Sequence, residues 1–163
     1  MTYVTGWVYN EYLETPVHMR PRVIAVDVIG IGAGVVDGLK ELGLPVKGVN
    51  VAEAESNRYG LKASKYERLR DELWFKAWEW FLKGDCKIPE DEDLIGELCS
   101  VTYDILSNGK FKVESKRDMK KRGIRSPDIA DSFIITFAIK DKIRLNRGAR
   151  RNNFAKSDYN IFG

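Results

Sequence analysis

Apolar and polar positions along the chain fall into short continuous apolar runs and longer segments with helical spacing. Residues 22–29, Arg-Val-Ile-Ala-Val-Asp-Val-Ile, form an almost unbroken run whose Val/Ile content suits a buried strand. The glycine turn Gly30-Ile-Gly-Ala-Gly34 follows, and Val35 to Leu42 carries apolar positions at helical spacing. Gly43 is a helix stop, with Pro45 just beyond it. Val46 to Val51 then reads as a second strand. Strand, helix and strand so closely spaced make a βαβ unit, whose strands should be parallel and whose crossover right-handed.

The other elements are read in the same way. Tyr3 to Leu13, rich in aromatic and β-branched residues, is expected to be one strand or a short hairpin. Residues 53–63 are polar and read as a loop. Ser64 with Glu67 matches a capping box that opens a helix through Leu69, Leu73, Ala77, Trp80 and Phe81 to Gly84. Trp74, Trp78 and Trp80 are assigned to core packing rather than to stacking on bases. Pro89 begins a further helix through Leu94, Ile95 and Leu98. Val101 to Ile105 and Lys110 to Glu114 flank the turn sequence Ser107-Asn108-Gly109, which predicts a hairpin. Ser126-Pro127 opens a last helix through Ile129, Phe133 and Phe137 to about Ile143.

Composition narrows the chemistry. Of the 163 residues, one is histidine (His18) and two are cysteine (Cys86 and Cys99). That excludes multi-histidine metal sites, four-thiolate zinc sites and a disulfide framework, and it argues against a serine–histidine–aspartate triad. Carboxylates are left to carry any catalysis. The net charge of +3 is mild, but its distribution is not. Basic residues cluster at Lys110, Lys112, Lys116, Arg117, Lys120, Lys121, Arg122 and Arg125, and again from Lys140 to Lys156. Blocks of this kind suit a polyanion, because each neutralised phosphate releases counterions. No apolar run is long enough to span a membrane. The N-terminus lacks a signal-peptide pattern, and the scarcity of cysteine fits a reducing cytoplasm.

Three carboxylates stand out. Asp27 is the one charge inside the first apolar run and lies at the carboxyl end of its strand, where α/β sheets bind ligands. It either accepts amide hydrogen bonds from the glycine turn or serves a metal. Asp128 and Asp131, three residues apart, project from one helix face; they either complement the helix dipole or serve chemistry. Together the three would form a hard-oxygen site for Mg²⁺ or Mn²⁺. Two such ions would activate a water and stabilise the leaving oxygen in phosphodiester hydrolysis. The rival is a small nucleotide-binding α/β domain using Gly30, Gly32 and Gly34, with Glu53 or Glu55 as the ribose acid. A full dinucleotide fingerprint would need glycine where Val35 stands.

Several ordered motifs resemble one family, the nuclease domain of phage terminase large subunits. They are Val23 to Leu39, Leu42 to Val51, Lys65 to Trp74, Glu114-Ser-Lys-Arg-Asp-Met-Lys-Lys-Arg-Gly123, and Ser126-Pro-Asp-Ile-Ala-Asp131. The resemblance spans about Arg22 to Ile139. It implies an α/β RNase H-like fold, a mixed five-stranded β-sheet flanked by helices; the domain is expected over residues 1–143, and the polar, basic composition of 144–163 reads as a flexible tail. It also implies a two-metal endonuclease that cuts viral DNA during genome packaging, with Mg²⁺ or Mn²⁺ as cofactor. By motif, Asp27 matches the acid on the central strand, and Asp128 or Asp131 the acid opening the last helix. Asp128 ranks slightly ahead because it lies closest to the cap. Lys116, Lys120, Lys121 and Arg125 would contact phosphates of double-stranded DNA, and other packaging proteins would be partners in the cytoplasm of a bacterial host.

Two departures from the family qualify this. No Walker A sequence occurs in these residues, so they are not expected to include the ATPase motor, and the acids before Asp27 are Glu11 and Glu14, neither in an Asp-x-x-x-Gly setting. The opening hairpin is therefore expected to be incomplete, with an exposed sheet edge that favours a homodimer. The alternative function is an inactive prophage remnant that keeps the fold and binds DNA or protein.

Overall fold

The structure, a computed structural model, describes residues 2–53 and 65–139. Glu55, Ser64 and the basic tail lie outside the described residues, as does any continuation of the last helix toward Ile143.

The βαβ unit forms as the pattern predicts. Strand β1 (Ile24–Asp27) pairs in parallel with β2 (Val46–Val49) across helix α2 (Gly32–Glu41), with Ile24 opposite Val46 and Asp27 opposite Val49. Alternation along the two strands sends their side chains to two cores. Ile24, Val26 and Val46 meet Val35, Leu39 and Leu44 on the α2 side. Ala25 and Val49 join Leu73, Trp74, Ala77 and Ile134 on the other. Burying a residue such as Leu39 completely stabilises the fold by about 1.5–3 kcal/mol.

The expected opening strand is corrected: Tyr3–Glu14 is a helix, α1. The β-branched and aromatic residues suggested extended chain, but Thr5, Val8, Tyr9 and Tyr12 recur at helical spacing. Thr5 is buried where its methyl lies 3.1 Å from the position a Cβ would take on Gly38. Val8, Tyr9 and Tyr12 pack on the α2 core, and the Thr2 hydroxyl caps the helix by accepting from the Thr5 amide at 3.2 Å. Tertiary packing overrides β-propensity here. With α1 helical, the described strands form two two-stranded sheets rather than one five-stranded sheet.

Helix α3 (Leu69–Leu82) starts later than the Ser64 reading placed it. Asp71 closes its first turn, accepting from the Arg68 amide at 2.8 Å. Helix α4 (Glu92–Ser100) is capped by Asp91, whose carboxylate accepts from the Leu94 amide at 2.9 Å. The predicted hairpin is present, with β3 (Tyr103–Ile105) antiparallel to β4 (Phe111–Val113). Gly109 takes a left-handed φ of 78° in its turn, a conformation that favours glycine. The hairpin is tied to the entry of α3, since the Phe111 amide donates to the Lys65 carbonyl at 2.8 Å. Helix α5 (Lys116–Lys121) and helix α6 (Asp128–Ile134) follow, and a 3₁₀ turn over Ile135–Ala138 ends the described chain.

The three tryptophans of α3 pack on the core, as their spacing indicates, whereas Trp7 of α1 is exposed. Trp74 is fully buried, Trp78 packs edge-on against Phe75, and Trp80 against Phe137.

Candidate active site

The carboxyl ends of β1 and β2 open onto a cavity of about 320 Å³. Its walls include Ile29 and Val51 after the two strands, Arg68, Arg70 and the acidic Asp71 at the start of α3, Lys112 on β4 and Lys116 at the start of α5. Lys116 also lines a neighbouring cleft of about 690 Å³, with Arg117, Lys120, Arg125 and Asp128. The shared lysine joins the strand ends to the start of α6 along a basic surface.

Asp27 is exposed at the end of β1, and one of its carboxylate oxygens accepts from the Ile29 amide at 3.1 Å. The glycine turn after it is shaped by the protein itself. A Cβ on Gly32 would lie 1.7 Å from the Asp27 carbonyl oxygen, so only glycine lets α2 approach β1 this closely. That packing accounts for Gly32 without a bound phosphate.

Helix α6 delivers Asp128 and Asp131 together. Its start is held from outside, because the Ala130 amide donates to the Glu97 carboxylate of α4 at 2.8 Å. Lys116 Nζ sits between the two aspartates, 2.7 Å from Asp128 Oδ1 and 3.2 Å from Asp131 Oδ2. Burial disfavours the Lys116 charge, but the Asp128 and Asp131 carboxylates outweigh it and raise the pKa above the ordinary lysine value. The Lys116 ammonium, then the Ser126 hydroxyl, hold Asp128 below the usual carboxylate range.

The two aspartates differ in setting. The Asp128 side chain is 72% exposed, whereas that of Asp131 is 19% exposed and bound on several sides. Asp131 Oδ1 accepts from Arg70 Nε at 3.2 Å and from the buried Trp74 indole N–H at 3.1 Å. Sequence reading missed Arg70, Trp74 and Glu97. Their positions carried only the signals of an exposed base, a core aromatic and a helix-surface acid.

The structure thus gathers Asp128 and Asp131 around the Lys116 ammonium, while Asp27 lies exposed at the end of β1, bonded to the Ile29 amide. Among the described residues no three His, Cys, Asp or Glu side chains converge on one point. The donor set nevertheless fits a hard divalent cation. Mg²⁺ keeps several waters and is commonly held by one or two carboxylates, and a cationic group already lies within reach of one oxygen from each aspartate.

Of the expected phosphate contacts, Lys116, Lys120 and Arg125 line the basic cleft. Lys121 does not line it and pairs instead with Asp118 at 2.7 Å. Glu114 and Arg122 form a further ion pair behind α5, which lowers the Glu114 pKa and raises that of Arg122.

No protein-family model and no curated protein matches the sequence. Among solved structures, the chain is similar to the nuclease domain of the large terminase subunit gp2 of bacterial virus Sf6. The TM-score is 0.57 at 19% identity, covering 80% of this chain and 69% of that one. A lysine-to-alanine variant of that domain with manganese gives a TM-score of 0.58 at 19% identity, covering 80% and 70% of the two chains. The same variant with manganese and beta-thujaplicinol gives 0.58 at 18% identity, covering 80% and 69%. At these identities the likeness shows the fold: the α/β RNase H-like class implied by the sequence motifs is borne out, while its five-stranded sheet is not formed among the described residues.

Proposed function

We propose that this chain is a terminase-type nuclease domain that cuts double-stranded DNA with Mg²⁺ or Mn²⁺. The observation that carries the proposal is the pairing of Asp128 with Asp131 around the Lys116 ammonium, on a largely basic surface at the carboxyl ends of β1 and β2. Asp128 and Asp131 would hold the metal, which when bound supplies a Lewis acid for the phosphodiester and an activated water, and Asp27, which does not converge with them in this structure, would join them as a further acid. Lys120 and Arg125 would bind the DNA backbone along the cleft, and Lys116 would contribute positive charge between backbone and carboxylates. Two of the similar nuclease-domain structures contain manganese, which supports a divalent ion as the cofactor class. In this reading the protein works beside other phage packaging proteins in the cytoplasm of a bacterial host. Among the described residues no helix is long and apolar enough to cross a membrane. The outer edge of β1 has no partner strand among the described residues, which favours pairing with a second copy.

The test is nicking of supercoiled plasmid with Mn²⁺, with Mg²⁺ and with chelator. Metal-dependent nicking by the wild type and its loss in Asp27→Asn are expected. An Asp27→Asn variant as active as the wild type would overturn the assignment of Asp27. DNA binding without any metal-dependent nicking would favour the second reading, a remnant that keeps the fold and binds DNA. The Lys116 ammonium, which already pairs with both aspartates, speaks for that reading.

A separate expectation concerns the cleft. Removing Lys120 and Arg125 together should weaken binding evenly across DNA sequences. It should also flatten the log–log salt dependence by about 2, roughly one per phosphate contact. Equal slopes for variant and wild type would place the DNA elsewhere.

A further inference from the structure

The reading of Asp131 as a metal ligand leaves open how its carboxylate is aimed, and which of its oxygens is free. Resting on that reading, we infer that Arg70 and Trp74 are positioning residues that occupy Oδ1 of Asp131 and commit Oδ2 to the cation. Oδ1 accepts from the Trp74 indole at 3.1 Å and from Arg70 Nε at 3.2 Å, and Arg70 Nη2 lies 3.0 Å away in ion-pair contact. A carboxylate oxygen offers about two lone pairs, so Oδ1 is fully engaged. Oδ2 faces Lys116 Nζ at 3.2 Å.

Both donors are themselves fixed. The Trp74 ring, carried by α3, is fully buried in the core shared with Ala130 and Ile134 of α6 and tilted against Trp78. Its N–H can only donate, so the direction of the bond is set by core packing. Arg70 is fastened at a second point, where Nη1 donates to the Glu114 carbonyl at 3.0 Å. One side chain therefore ties α3, the junction of β4 with α5, and α6 together at the carboxylate. Asp128 has no such support: both of its partners, Lys116 and Ser126, are surface groups, and its side chain is 72% exposed. The structure aims Asp131 and leaves Asp128 to adjust. Groups that orient a metal-binding carboxylate act on metal affinity as well as on turnover, because a freely rotating carboxylate must be ordered when the ion binds.

The experiment is a Mn²⁺ titration read from the paramagnetic resonance signal of the free ion, with melting temperatures recorded for the same samples. The proteins are wild type, Trp74→Phe, Arg70→Gln, Arg70→Lys and Asp131→Asn. Trp74→Phe keeps an aromatic ring but removes the N–H together with the rest of the pyrrole ring, and Arg70→Gln keeps a polar side chain at a largely buried position without the guanidinium. Each should weaken Mn²⁺ binding by about 10-fold or more. Arg70→Lys, which keeps the charge without the fork, should recover part of the loss. If Trp74→Phe does not fold, Arg70→Gln decides. Lowered melting temperatures with unchanged Mn²⁺ affinity would overturn the inference, because that is the signature of a purely structural role. If Asp131→Asn binds Mn²⁺ as the wild type does, or the wild type binds none, the reading of the site fails and the inference falls with it. If Asp131→Asn loses binding while Trp74→Phe and Arg70→Gln keep it, the reading stands and only the inference is lost.

Discussion

Gly32→Ala is expected to destabilise the protein severely, by about 3 kcal/mol or more, which lowers the melting temperature by roughly 6–12 °C. The new methyl would lie 1.7 Å from the Asp27 carbonyl oxygen and 2.8 Å from its carbon. Both are backbone atoms of β1, so no rotamer change relieves the clash. Either α2 lifts off the strand or the β1–β2 ladder shifts, and each route disturbs the core of Val35, Leu39 and Leu44. Gly34→Ala, one turn position on, is the internal control, since nothing lies within 4 Å of its Cβ position. There the exchange should be neutral or stabilising by about 1 kcal/mol, because alanine is the better helix former. Thermal melts of the two variants give the answer. Equal melting temperatures would mean that the strand and helix do not approach as described.

Asp71→Ala is expected to cost about 2–5 kcal/mol and to lower the melting temperature by roughly 5–15 °C. Asp71 is 3% exposed and serves two elements at once. Oδ1 accepts from the Val113 amide of β4 at 2.9 Å, and Oδ2 from the Arg68 amide before α3 at 2.8 Å. Alanine leaves both amides without an acceptor, each costing about 1–3 kcal/mol. Asparagine keeps one acceptor and should cost less. The pH dependence has a definite sign. Burial raises the Asp71 pKa above 3.8, against the lowering effect of the two amides. The stabilisation linked to that raised value is complete below the ordinary pKa and is lost as the pH rises through the raised one. The deficit of Asp71→Ala relative to the wild type should therefore be largest at acid pH and shrink toward neutrality. A deficit that grows with pH would mean that the carboxylate is favoured, not penalised, in the folded protein.

Several elements could be read directly from the sequence. The β1–α2–β2 unit and the β3–β4 hairpin both follow from local rules, an apolar run ended by glycines and a Ser-Asn-Gly turn. Likewise, the placement of Asp128 and Asp131 on one side of α6 needs only the spacing of three. The opening segment was misread because residue type outweighed spacing. Tyr3 to Tyr12 favours a strand by composition, and only the α2 surface, with Gly38 opening a place for Thr5, makes the helix the better solution.

The fine structure of the site is non-local and had no sequence signal. Lys116 reaches Asp128 over 12 residues, whereas Trp74 and Arg70 reach Asp131 over 57 and 61. Helical periodicity says that Trp74 faces a core. It does not say which helix lies opposite, nor that an acid on that helix will take the indole proton.

The sequence by itself determined which chemistry was available. One histidine and two cysteines leave hard carboxylate oxygens and a basic surface, and local patterning sets Asp27 at a strand end and Asp128 with Asp131 at a helix start. Only the tertiary structure decided how those groups are held. Hydrogen bonds act over about 3 Å, and packing alone brings α3, α5 and α6 within that distance. It thereby settles that Asp131 is anchored from three sides while Asp128 stays at the surface.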